Sequence, residues 1–191
     1  MPIHAAGVYN DQSSIGVSDF FVSSYTPTLE ALLEARERPV LSGLKVLAAA
    51  QPNPGKGYSR LPSVKAELQE IVDVVPRENL LLLGDCTLPD FEGHHTTIKN
   101  VLRKLPEANV LHLACHGNQD VKHPLDSGFI LANGEKLTVQ DLVKCRLPNA
   151  HTAILSACHT ASNDVKQPDE AVNLANTLLA LGFSSILATK W

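Results

Sequence analysis

Val110-Leu-His-Leu-Ala-Cys-His-Gly117 is the stretch that decides the fold, because a nearly continuous apolar run ends abruptly in a histidine and a glycine. A second stretch of the same character is Thr152-Ala-Ile-Leu-Ser-Ala-Cys158. Strands that are apolar on both faces are typical of parallel sheets covered by helices on both sides. The two stretches therefore predict core strands of an α/β domain.

Further strands and helices alternate around these two runs. Short apolar runs predict three more strands, at 44–50, 80–83 and 185–189. Apolar residues at helical spacing predict four helices, at 61–75, 98–105, 138–144 and 171–179, with Gly182 just beyond the last. Asn133-Gly134 between apolar flanks predicts a β-hairpin. We expect an α/β fold, a mostly parallel sheet sandwiched between helices, in a single domain over residues 1–191.

The N-terminal part carries weaker signals. Residues 1–24 show little periodicity, so we expect an irregular or strand-containing lead-in. Thr26-Pro27 then predicts an N-cap followed by proline in the first turn of a helix, with Leu29, Leu32 and Leu33 as its apolar stripe and Pro39 beyond its end.

The composition is that of one ordinary globular domain. The chain has 191 residues, 44% of them hydrophobic, and 16 Lys+Arg against 20 Asp+Glu give a net charge of −4. This balance excludes the disordered and low-complexity classes. Mild acidity without clustered Lys or Arg argues against a nucleic-acid partner.

The sequence predicts an intracellular, cytoplasmic protein with no membrane partner. No charged N-terminal region followed by an apolar stretch is present, and no apolar run is long enough to span a bilayer. The four cysteines, at 86, 115, 145 and 158, are too widely spaced for a disulfide framework.

Catalytic residue types follow the two deciding strands. In parallel sheets, ligands and catalysis gather at the carboxyl ends of the strands, and these ends carry His116-Gly117 and Cys158, which are 158 − 116 = 42 residues apart. An imidazole can take the proton of a thiol, and the resulting thiolate attacks a carbonyl. We predict His116 as general base, Cys158 as nucleophile, and the backbone N–H groups of Gly117 and Cys158 as oxyanion donors.

Other kinds of site fit the sequence less well. A zinc site could draw on His112, Cys115, His116, Cys158 and His159. It is disfavoured because no Cys-x-x-Cys pair is present and because neighbouring strand residues alternate faces. A buried, satisfied histidine is the favoured interpretation of His112. No phosphate-loop, dinucleotide-binding or serine-hydrolase motif is found, and we expect neither a metal nor an organic cofactor.

These motifs resemble the CHAT family, the caspase-like and separase-like domains often attached to tetratricopeptide repeats. The resemblance rests on the segments 112–117, 155–161 and 169–175, and it extends in order to 2–7, 24–29, 124–128 and 188–191. It implies a caspase-like fold of the cysteine-peptidase type. It also implies that His116 is the general base and Cys158 the nucleophile, in agreement with the assignment from strand ends.

Three departures from the family pattern shape further expectations. Family members commonly have glycine where this chain has Asn163, and asparagine tolerates the left-handed conformation that glycine supplies. In relatives, sequence continues beyond the position of Trp191 and precedes the segment 2–7. We therefore expect a domain truncated at both ends, a fragment of a longer protein that includes repeat domains.

Substrate preference has weaker sequence signals. Arginine-specific relatives use an acidic residue in the pocket for the P1 side chain, and three acids follow the nucleophile, at Asp164, Asp169 and Glu170. Acids at the start of a helix are more often caps and dipole partners, which is the favoured interpretation here.

Two functions of different class remain. The first is a cysteine endopeptidase that hydrolyses peptide bonds of a protein or peptide substrate through a Cys-His dyad. The second is a catalytically inactive interaction or regulatory module, favoured if a truncated sheet leaves an exposed edge strand.

Overall fold

The computed structural model describes residues 6–9, 14–23, 26, 28–37, 43–55, 57–84, 95–120, 122–157 and 174–188. Within these residues the chain forms ten strands and five α-helices. The strands are β1 (Gly7–Tyr9), β2 (Ser14–Gly16), β3 (Val46–Ala50), β4 (Leu80–Gly84), β5 (Val110–Ala114), β6 (His116–Asn118), β7 (Gly128–Ile130), β8 (Lys136–Thr138), β9 (Thr152–Ser156) and β10 (Ser185–Ala188). The helices are α1 (Leu29–Glu37), α2 (Ser63–Val74), α3 (Ile98–Lys104), α4 (Val139–Val143) and α5 (Leu174–Ala180).

Five strands form one parallel sheet in the order β10-β9-β5-β3-β4. The first of them in the chain, β3, lies between β4 and β5, so the direction of winding reverses between β3 and β5. Such a switch point is where open α/β sheets bind ligands, at the carboxyl ends of the strands. The predicted α/β class with a parallel sheet between helices is confirmed, and the arrangement is consistent with a caspase-like fold.

Helices cover both faces of this sheet. On one face, Val64 and Leu68 of α2 pack against Val46, Ala48 and Ala50 of β3. On the other face, α3 and α5 cover the alternate strand residues in the larger core cluster. Successive strand residues point to opposite faces, so β5 turns Ala114 toward α2 and Leu113 away from it.

A second, three-stranded antiparallel sheet in the order β6-β7-β8 follows β5. The predicted hairpin is its β7–β8 unit, which pairs Phe129 with Leu137. Its turn places Asn133 at φ 60° and Gly134 at φ 74°. These left-handed conformations suit asparagine and glycine, so the hairpin prediction is confirmed.

The helix termini follow the sequence signals with one correction. Gly182 has φ 111°, and the bonds from its N–H to Leu179 and from the Phe183 N–H to Leu178 close α5 in a Schellman motif. At α1 the prediction of Thr26 as the cap is wrong, because the Thr28 hydroxyl accepts from the Ala31 N–H. None of the residues of α1 is buried. In the described ranges, no helix combines the length and apolar character needed to cross a membrane.

Candidate active site

His116 lies where the chain leaves the parallel sheet. β5 ends at Ala114, and after Cys115 the chain continues as β6 in the antiparallel sheet, with His116 opposite Ile130. The side chain of His116 is half-buried. The histidine predicted as general base thus lies at the carboxyl edge of β5, next to the switch point of the sheet.

A backbone carbonyl orients the imidazole of His116. Its Nε2 lies 2.8 Å from the carbonyl oxygen of Ser59. A carbonyl oxygen only accepts hydrogen bonds, so Nε2 carries the proton and donates it. In the neutral ring this leaves the lone pair on Nδ1. The arrangement therefore presents Nδ1 as the basic atom.

The loop that supplies this carbonyl is anchored to the end of β5. The Gln51 N–H donates to the Ala114 carbonyl at 2.8 Å, and the Gln51 side-chain amide donates to Asn53 O at 2.9 Å. The loop turns at Gly55 and Gly57, whose positive φ angles suit glycine. The loop that carries the Ser59 carbonyl therefore begins at a hydrogen bond to the strand that precedes His116.

An aromatic ring lies beside the candidate base. The Tyr58 and His116 ring centroids are 5.8 Å apart, with the planes tilted by 34°. Tyr58 in turn lies near Gly134 of the β7–β8 turn. The ring therefore restricts the imidazole on one side and links it to the antiparallel sheet.

Gly117, a predicted oxyanion donor, lies in β6 opposite Phe129. It is half-buried, whereas Phe129 is fully buried. The strand thus continues from His116 with its backbone held against the core.

Cys158 and His159 lie outside the described residues, as do Asp164, Asp169 and Glu170. β9, which precedes them, ends at Ser156. Ser156 pairs with Ala114 of β5, and Ala157 is buried. The offset of this pairing is 156 − 114 = 42 residues. The candidate nucleophile follows Ser156 by two residues.

The structure separates two residues of the alternative zinc site. Cys115 is 1% exposed and belongs to the core on the α3 and α5 side of the sheet, where burial raises the pKa of its thiol to about 12. His112 lies on the α2 side, where its Nε2 is 2.9 Å from Glu67 Oε1. The two side chains do not converge.

One other group of metal-ligand residue types occurs within the described part of the chain. Asp120, His123 and Asp126 have ligand atoms within 4.8 Å of one another. The Asp120 carboxylate accepts from the backbone N–H groups of His123 and Lys122. The pKa of Asp120 is lowered, and the largest cause is the hydrogen bond from the His123 N–H. The geometry is that of a carboxylate that caps a surface turn.

Sequence reasoning missed two contributors near the site. Ser59 acts through its backbone carbonyl. Every residue has this group, so the sequence could not single out Ser59. Glu67 accepts from His112 and also from the hydroxyl of Ser156. Its only sequence signal was a carboxylate within the predicted helix 61–75.

The chain matches one known family over its full length. The sequence model of the CHAT domain covers residues 1–191. No curated protein matches the chain.

Proposed function

The chain belongs to the CHAT domain family, a caspase-like, peptidase-related family, and on this premise we propose that it is a cysteine endopeptidase domain with a Cys158–His116 dyad. The observation that carries the proposal is a shared offset. β5 and β9 pair with an offset of 42 residues, and His116 and Cys158 are 158 − 116 = 42 residues apart. The last described pair, Ala114 and Ser156, therefore precedes the base and the nucleophile by the same distance in sequence, two residues in each case.

The orientation of His116 supports its role as the base. The Ser59 carbonyl holds the proton on Nε2, so Nδ1 carries the lone pair that would accept the proton of the Cys158 thiol. A base that is already in the correct tautomer needs no rearrangement before it acts.

The proposed reaction proceeds through an acyl-enzyme. The Cys158 sulfur forms a bond to the scissile carbonyl carbon as its proton passes to His116 Nδ1. The N–H groups of Gly117 and Cys158 stabilise the oxyanion. The C–N bond then breaks, and His116 returns the proton to the leaving amine. Water, deprotonated by His116, hydrolyses the thioester and regenerates the thiol.

The substrate preference of this site is a separate proposal. Asp164, Asp169 or Glu170 would recognise a basic P1 side chain by charge, whereas helix capping remains the favoured role of these acids. A panel of peptidyl electrophiles with Arg, Lys, Asp or Leu at P1 distinguishes the pocket role of these acids from the capping role. Preferential reaction of the Arg and Lys members, lost on neutralising one of the three acids, supports the pocket role.

The same panel tests the dyad. Intact mass and peptide mapping should show one adduct, on Cys158, absent from Cys158→Ser and slowed at least about 100-fold in His116→Ala. Activated peptide esters should give a burst of leaving group equal to the enzyme concentration. Equal labelling of all cysteines in folded protein, or activity that requires an added metal ion, contradicts the proposal.

A second candidate function is a catalytically inactive interaction module. β10 lies at the edge of the parallel sheet, no other described strand pairs with its outer side, and Leu187 is 67% exposed. An edge strand offers unpaired backbone groups to another chain. A folded protein in which Cys158 reacts no faster than Cys145, and which forms complexes disrupted by Leu187→Lys, favours this candidate.

A further inference from the structure

A polar cluster lies on the otherwise apolar α2 face of the parallel sheet. Glu67 of α2 accepts two hydrogen bonds on the same oxygen, Oε1: one from His112 Nε2 at 2.9 Å and one from the Ser156 hydroxyl. His112 is 4% exposed, and the Glu67 side chain is 34% exposed. The rest of this face near α2 is apolar, with Ala48 and Ala114 fully buried.

The chemistry of the cluster is set by its acceptor. A carboxylate only accepts hydrogen bonds, so the His112 ring donates from Nε2. His112 Nδ1 is buried and has no hydrogen-bond partner among the described residues. An unpaired lone pair at this atom costs less free energy than an unpaired N–H would. Ser156 donates to Glu67 and not to His112, so the imidazole does not stand between hydroxyl and carboxylate as it does in a Ser-His-acid relay. The cluster is therefore not a second nucleophilic site.

The cluster joins the two strands that carry the proposed dyad. His112 precedes His116 by four residues on the β5 side, and Ser156 precedes Cys158 by two. Two residues of extended chain span at most about 7 Å. Whatever fixes Ser156 relative to His112 thus limits where Cys158 lies relative to His116.

The same segment also orients the base. Ser59, whose carbonyl holds His116, lies eight residues before Glu67. One continuous stretch of chain, from Ser59 into α2, therefore contacts the base through a backbone carbonyl and both catalytic strands through a carboxylate. A shift of α2 would displace both contacts together.

Stability alone accounts poorly for the cluster. Replacing a buried polar or ionic group by well-packed apolar residues is often neutral or stabilising, whereas removing one partner is costly. Hydrogen bonds between specific polar groups instead favour one geometry.

We propose that Glu67 is a positioning residue of the dyad: by holding His112 and Ser156 it sets the end of β9 against the end of β5. The inference rests on the proposed function of Cys158 and His116. Glu67 touches neither substrate nor the reacting atoms, and it acts through the two strands.

The test compares wild type with a variant in which the whole cluster is apolar, Glu67→Met with His112→Leu and Ser156→Ala. No buried donor is left unpaired in this triple variant, so its melting temperature should match that of wild type. Its acylation rate with a peptidyl electrophile should fall at least about 10-fold, because misplaced groups lose effective molarity. In the burst phase with a peptide ester, the acylation rate at saturating ester should fall, and the ester concentration that half-saturates this rate should stay unchanged.

Three further variants sharpen the result. Glu67→Gln keeps an acceptor oxygen and should retain more activity than the triple variant. Glu67→Met alone removes the acceptor of the buried His112 N–H and of the half-buried Ser156 hydroxyl, and it should be the least stable. Glu70→Gln, at an exposed position of the same helix, should change neither rate nor stability.

The outcomes separate this inference from the proposed function. A stable triple variant that acylates at the wild-type rate overturns the role of Glu67 and leaves the dyad intact. A higher half-saturating ester concentration in the burst phase, with an unchanged acylation rate at saturation, also overturns it. Wild-type protein without selective labelling of Cys158 overturns the dyad, and the positioning role falls with it.

Discussion

The imidazole of His116 is held by the main chain of Ser59, with 2.8 Å between Nε2 and the carbonyl oxygen. This contact fixes the tautomer of the ring and leaves Nδ1 as the basic atom. The acceptor is a backbone group, so the serine hydroxyl has no part in it.

Ser59→Ala should therefore leave the acylation rate of Cys158 within about twofold of wild type, as expected for a surface side chain without a contact role. Tyr58→Ala removes the ring 5.8 Å from that of His116 and should slow acylation about 10-fold, because the imidazole gains freedom. Stopped-flow acylation with a peptide ester measures both rates. If Ser59→Ala is as slow as His116→Ala, the hydroxyl is involved and the assignment of the carbonyl is wrong.

Cys115 should be unreactive in the folded protein between about pH 7 and about pH 9, because the thiolate is the nucleophilic form. Burial raises the pKa of this thiol to about 12. Burial, together with the charge of Asp141, also raises the pKa of Cys145. Alkylation followed by peptide mapping should find Cys115 unmodified in buffer and modified in denaturant. Modification at the same rate in both conditions would show that the core around Cys115 is open.

Thr138→Ala should lower the free energy of unfolding by about 1 kcal/mol at neutral pH, since Thr138 and Asp141 form the capping box of α4. The hydrogen bond from Thr138 is the largest cause of the lowered pKa of Asp141. A carboxyl with a lowered folded-state pKa stabilises the protein above its unfolded value, about 3.9, and loses this contribution as pH falls through the folded value.

The loss of unfolding free energy caused by Thr138→Ala should accordingly be smaller in acid. Urea denaturation at neutral pH and at about pH 3 measures it. Gln140→Ala, at an exposed position of α4, is the control and should cost little at either pH. A cost that is constant across the two conditions argues against the capping box.

Gly128→Ala should destabilise the antiparallel sheet by about 1–3 kcal/mol, the range for overpacking. An added methyl group would overlap the Leu137 carbonyl and lie 2.9 Å from the Thr138 Cα. Gly128 also pairs with Asn118 of β6, so acylation should slow as well. Gly43→Ala, where an added methyl group meets nothing within 4 Å, is the matched control. Equal melting temperatures for the two variants would contradict the packing described for β7 and β8.

The fold was predictable where local pattern and tertiary packing agree. The apolar runs of β5 and β9 are apolar because both of their faces are covered, and the Asn133-Gly134 turn needs left-handed conformations that those residues supply. α1 shows the limit of the pattern, since its leucine stripe faces no core among the described residues. β6 is only three residues long, too short to give a periodic signal.

The site was predictable only in part. Strand ends and residue chemistry lead to His116 and Cys158, but the group that orients His116 is a backbone carbonyl 57 residues away in sequence. Glu67 is 45 residues from His112 and 89 from Ser156. These contacts depend on how α2 crosses the sheet, and no local pattern encodes that.

The central claim is that His116 activates the Cys158 thiol. The most direct measurement is residue-resolved carboxamidomethylation of the folded protein at about pH 6, where an unactivated thiol is almost fully protonated. We predict that Cys158 reacts at least about 100-fold faster than Cys115 and Cys145, and that this advantage disappears in His116→Ala. Equal rates for the three cysteines, or a fast Cys158 that is indifferent to His116→Ala, would contradict it.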